Sequence, residues 1–106
     1  MPLTGSFNDM EIVTILRVTN YIDDSATAGA RTVNRSRGKN AIALGAASVV
    51  ITNSLVTVNS QIICNLEFVD ATLTFIKAVI PAAGSFTITG NANAAADTKF
   101  SWLVIN

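Results

Sequence analysis

The chain has 106 residues, half of them hydrophobic and 13% charged, with a mean hydropathy of +0.47 and seven residues of each charge. A chain of this length forms one domain that buries roughly two thirds of its unfolded surface, enough for a core without disulfides or a metal. A neutral chain with so few charges speaks against an electrostatic nucleic-acid binder, although a duplex contact through Arg31 to Lys39 stays open, and it leaves apolar surface that must face something other than water.

The first forty residues differ from the rest. "MEIVTILRVTNYI" can be read as a helix, with Asn8 and Glu11 in capping-box spacing and Ile12, Ile15, Leu16 and Ile22 as a stripe. Its β-branched residues, including Ile12, Val13, Thr14, Ile15 and Val18, favour an extended strand, and the reading leans that way. The polar connector "DDSATAGARTVNRSRGKN" follows and holds Arg31, Arg35, Arg37 and Lys39, four of the seven basic residues. With no aromatic residue among them and a neutral chain around them, this cluster reads as a solvated or partner-facing arm and not as a nucleic-acid site. Residues 1–40 are therefore expected to form an N-terminal arm and residues 41–106 the folded domain.

From Ala41 onward, short apolar or alternating runs recur between turn residues, which predicts an all-β sandwich or barrel. "SVVIT" is closed by Asn53-Ser54 and "LVTV" by Asn59-Ser60. "QIICNLEFV" sets Ile62, Cys64, Leu66 and Phe68 on one face against Gln61, Asn65 and Glu67, with Ile63 the one apolar intruder on the polar side. "ATLTFIKAVI" alternates Leu73, Phe75 and Val79 with Thr72, Thr74 and Ala78, and Pro81 with Gly84 is expected to break that strand into a turn. Phe86 and Ile88 alternate with Thr87 and Thr89 in the next.

The terminal run "KFSWLVIN" is apolar on both faces, with Phe100, Trp102 and Val104 opposite Leu103 and Ile105. One face is expected in the core. The other meets a neighbouring subunit or the N-terminal element of the same chain, which makes Phe100, Trp102 and Leu103 the candidate core and subunit-interface residues.

Catalytic groups are scarce. No histidine is present, Cys64 is the single cysteine, and the glycines fall in no phosphate-loop spacing. Cys64 has no base to activate it and reads as a small buried hydrophobe. The chain is expected to be no enzyme and to hold no cofactor or metal. No apolar run approaches the ~20 residues of a membrane span, and no basic and apolar leader pattern opens the chain, so synthesis and folding in the cytoplasm are expected.

"GKNAIALGAASVVITNSLVTVNSQI" together with "GSFTITGNANAAADTKFSWLVIN" resembles a β-rich module of tailed-bacteriophage structural proteins. The resemblance spans residues 38–106 and is carried by Gly45, Val49, Ile51, Asn53, Val56, Ser60 and Ile62, then by Gly84, Phe86, Ile88, Asp97 and Trp102. It implies a jelly-roll-like antiparallel β-sandwich that assembles as a homotrimer. Opening at Met1 with a short extension, the chain is expected to be a free-standing head-decoration, or cement, protein on the virion surface. Its partners would be its own copies and the major capsid protein, with the arm residues Arg31, Arg35 and Arg37 on acidic capsid patches. The alternative is a tail-fibre or tailspike domain that is structural or binds a receptor.

Overall fold

A computed structural model describes residues 21–106, which are all-β. The strands are β1 (Tyr21–Asp23), β2 (Arg31–Thr32), β3 (Arg37–Ile42), β4 (Ser48–Thr52), β5 (Gln61–Leu66), β6 (Ile76–Ala82), β7 (Ser85–Gly90) and β8 (Thr98–Ile105). They form two four-stranded sheets, sheet A in the order β1-β3-β8-β5 and sheet B in the order β2-β4-β7-β6. The expected sandwich is present. Each sheet has one parallel pair at its edge, β1 with β3 and β2 with β4, so both sheets are mixed and not purely antiparallel. The putting of β1 and β2 into the sheets also carries the folded unit back to Tyr21, and the 40/41 boundary drawn from composition falls inside β3. Most of the run at residues 10–22, which can be read as strand or helix, lies outside the described residues; Tyr21 and Ile22 belong to β1.

Alternation decides which side chains are shared between the sheets. In β4, Val49 and Ile51 are buried while Ser48, Val50 and Thr52 are exposed, and in β7 Phe86 and Ile88 are fully buried. Sheet A contributes Ile42, Phe100, Trp102 and Val104, with Ile62, Cys64 and Leu66 of β5 packed at the margin. Only the β6–β7 hairpin stays within one sheet; every other connection crosses between them.

Side-chain amides and a carboxylate hold the crossings. Asn53, fully buried, accepts from the Leu55 amide at 2.9 Å and donates to the Arg35 carbonyl at 2.7 Å. Its own backbone N–H reaches the Gly84 carbonyl, so one residue ties three connections together. Gly84 turns the hairpin with φ +80°, a conformation that suits glycine.

Pro81 lies within β6 and does not end it, pairing with Phe86 in the register. β6 is the edge of sheet B, where a missing N–H removes no ladder bond. Leu73 precedes β6 and is fully buried, whereas Phe75, expected to share its face, is 56% exposed because the strand begins only at Ile76.

Trp102 joins the two sheets. Its indole N–H donates to Asn40 Oδ1 at 2.8 Å, and its ring meets Phe86 of sheet B edge-on with centroids 5.1 Å apart. Gly38 makes room for it, since a Cβ there would lie 2.8 Å from the Ile22 carbonyl oxygen and 3.0 Å from Trp102 Cζ2. Gly90 does the same for Leu73, whose Cγ would be 2.6 Å away. Trp102→Ala is therefore expected to cost about 3–5 kcal/mol and Gly38→Ala or Gly90→Ala about 1–3 kcal/mol by overpacking. Urea unfolding followed by fluorescence for the glycine variants, and by circular dichroism for Trp102→Ala, checks each value.

Candidate interaction surface

The outer face of sheet A carries an apolar row. Cross-strand register places Tyr21, Arg37, Leu103 and Ile63 side by side across β1, β3, β8 and β5. The two residues that broke the polar face of their strands, Ile63 and Leu103, are thus direct partners. Ile63 is 52% and Ile105 42% exposed, and Tyr21 is covered on one side by the Arg37 guanidinium, 4.7 Å from its ring centroid. The next row brings Asp23, Lys39, Ser101 and Asn65 together. Lys39 donates to Glu67 at 3.2 Å, and this bond, followed by the attraction of the same carboxylate, raises the Lys39 pKa.

Sheet B presents a different face. Ser48, Val50 and Thr52 of β4, Ser85, Thr87 and Thr89 of β7, and Ala78, Ile80 and Ala82 of β6 point outward, and none is charged. A shallow open depression lined by Ala30, Arg31, Thr32 and Thr52 lies at its β2 edge.

The third apolar region is the end of the sandwich where β5 crosses to β6 and β7 to β8. Phe68, Val69 and Phe75 are more than half exposed there. Their loop is pinned, because Asp70 Oδ2 accepts from the Thr72, Leu73 and Ala95 amides and Asn91 Oδ1 accepts from the Thr74 and Phe75 amides. The amide bonds, that from Ala95 foremost, hold the Asp70 carboxyl well below the usual carboxylate range.

Of the basic residues singled out, Arg31 lies on β2 and forms a two-pronged pair with Asp24, at 2.7 and 3.0 Å. Arg35 is exposed in the β2–β3 connection, and Arg37 stands on β3 against Tyr21. All three sit on the β1–β2 side of the sandwich. Phe100 and Trp102 are core residues, while Leu103, half-buried, belongs to the outer row. Cys64 faces the core, and burial pushes its thiol up to about 12. Among the described residues no three His, Cys, Asp or Glu side chains are grouped so as to hold a metal ion. No helix of the described residues is long and apolar enough to cross a membrane.

Alternation from the sequence located the Ile63 and Leu103 positions. It did not find the Phe68–Phe75 end, because Phe68 and Phe75 continue the alternation of strands that stop before and start after them.

Two measurements follow from these environments. A carboxyl whose folded pKa is depressed adds stability above its unfolded value of about 3.9 and loses it as pH falls below that. The wild type is therefore expected to lose stability on acidification from about pH 4, and Asp70→Asn to flatten that loss in thermal melts taken across the range. Native Cys64 is expected to react with a thiol reagent at neutral pH far more slowly than in the unfolded chain. Against known protein families, curated proteins and solved structures, the chain matches none.

Proposed function

We propose that this protein is a structural component of a tailed-phage virion, a homotrimeric head-decoration (cement) protein that binds the outside of the capsid and stabilises contacts between capsomers. The observation that carries the reading is the apolar row on the outer face of sheet A, where Leu103 and Ile63 lie side by side on a rigid sheet beside cationic side chains. Such a face suits burial against another subunit. The strand order adds support: β3 to β8 wind as β3-β8-β5 over β4-β7-β6, a jelly-roll-like course to which β1 and β2 are added in parallel.

In this reading Leu103 contributes to the trimer contact, and Arg31, Arg35 and Arg37 meet acidic patches of the major capsid protein. The chain needs no catalytic group, cofactor or metal for this role, and its place would be the capsid surface after synthesis in the host cytoplasm.

A tail-fibre or tailspike domain that binds a receptor is the second reading. It is favoured by the exposed Phe68 and Phe75 on the pinned β5–β6 loop, since rigid aromatic side chains on loops are effective binding groups.

Light scattering of the purified chain is expected to give the mass of a trimer, and Leu103→Asp or Ile63→Asp to reduce it to a monomer that remains folded. Incubation with empty heads of the phage encoding the chain is expected to give saturable binding. Reversing Arg31, Arg35 and Arg37 to Glu is expected to weaken that binding at least tenfold with the trimer intact. A monomer at high concentration that leaves heads bare overturns the proposal, whereas head-independent binding to host cells lost in Phe75→Ser selects the receptor-binding reading.

A further inference from the structure

We infer that residues 25–32 are a flap that opens from the edge of β4 while the rest of the sandwich stays folded, and that its closure keeps β4 from pairing with another strand. The flap reads "SATAGART" and holds no apolar side chain larger than alanine. None of its residues belongs to the hydrophobic core, and Ser25 is its single buried side chain. Both of its ends are anchored, because β1 precedes it and Val33, 4% exposed, follows it into the core. It is a compact surface loop with firm hinges and almost no apolar content.

What closes the flap is polar and largely exposed. The Gly29 amide donates to the Ala41 carbonyl at 2.9 Å, and Arg31 and Thr32 pair with Ile51 and Thr52 as β2. Ser25 bonds to Asp23 at the hinge. The Arg31 guanidinium reaches back to Asp24, at 2.7 and 3.0 Å, so the far end of the flap is clipped to its own base. An exposed pair of this kind shifts a closing equilibrium about two- to fivefold. The neighbouring strands β3 and β8, by contrast, are held by Ile42, Phe100 and Trp102 in the core. Opening the flap hands a few backbone bonds to water and breaks no core contact, so it occurs far more often than global unfolding.

Opening uncovers one side of β4. Its sequence "SVVIT" has five residues without charge, proline or glycine, and Val49 through Thr52 are all β-branched. Such a strand, left unpaired along one side, is a template for another chain. The two residues of β2 block that side only while they are held in place, and the clip holds them. The inference concerns the folded chain itself and does not rest on the virion reading.

Native-state hydrogen exchange of the full chain across low urea concentrations tests it. The Gly29 amide is expected to exchange at least a hundredfold faster than the amides of Phe100 and Trp102, at a rate that low urea leaves unchanged. Asp24→Ala is expected to raise the Gly29 rate about two- to fivefold, with the β8 rates unaltered. Thr32→Cys with Thr52→Cys in a Cys64→Ala background, once oxidised, locks the flap, since strands paired in register lie within disulfide reach. The lock is expected to slow Gly29 exchange at least tenfold, and reduction to reverse it. Thioflavin T fluorescence of concentrated samples is expected to rise sooner in Asp24→Ala than in the wild type, and latest in the locked chain. Gly29 exchange that keeps step with Trp102, or that neither Asp24→Ala nor the lock changes, overturns the flap. Equal onset of fluorescence in the three chains overturns its guarding of β4.

Discussion

The fold depends on one indole. Trp102 lies on β8, the inner strand that pairs with both β3 and β5, and it spans the gap to Phe86 on the opposite sheet. Its position requires a missing side chain at Gly38 and an acceptor at Asn40, both on β3. The acceptor comes with an imperfection, since Asn40 is fully buried and its Nδ2 has no partner among the described residues. An unpaired buried donor costs about 1–3 kcal/mol. Burying an indole of 150–250 Å² contributes about 4–6 kcal/mol at 25 cal/mol per Å², so the exchange favours the tryptophan. An asparagine in a core strand is thus explained by the ring it serves.

The connections add Val33, Val56, Leu73 and Ala94 to the core and are otherwise held by polar groups. Three polar residues organise them: Asn53 ties the β2–β3, β4–β5 and β6–β7 connections, Asp70 ties the β5–β6 loop to the β7–β8 loop, and Asn91 fixes the start of β6. Each bonds chiefly to backbone groups of a crossing loop, which would otherwise need water. Polar side chains are therefore spent on internal satisfaction. Phe68, Val69 and Phe75 are left outside on loops that cannot readily fold them in.

Much of the β architecture was legible in residue order. The alternation in "SVVIT", "QIICNL", "SFTIT" and "KFSWLVI" matches strands β4, β5, β7 and β8 and the faces they bury. What residue order concealed was long-range pairing. Arg31-Thr32 and Tyr21–Asp23 have no strand-like pattern, and they join the sheets only because β3 and β4 present free edges to them. For the same reason, composition placed Arg31 and Arg37 on an arm although each belongs to a strand. The Ile63–Leu103 row was visible as two separate irregularities, and only the β5–β8 register brought them together.

The edges of the two sheets are poorly suited to adding a further strand. A sandwich of two open sheets has four edge strands, each able in principle to recruit another chain. Here β2 is two residues long, too short to template an added strand. β6 carries a proline and a bulge. β5 alone is a regular edge of six residues, and it lies against β6 where the two sheets close on each other. Apolar side chains that are not needed in the core can then be buried only face to face or at the loop end. Such burial preserves both sheets, whereas growth from an edge would extend them without limit. A sequence with so little charge thus carries its resistance to unlimited strand addition in a proline and a bulge and not in charged edge residues.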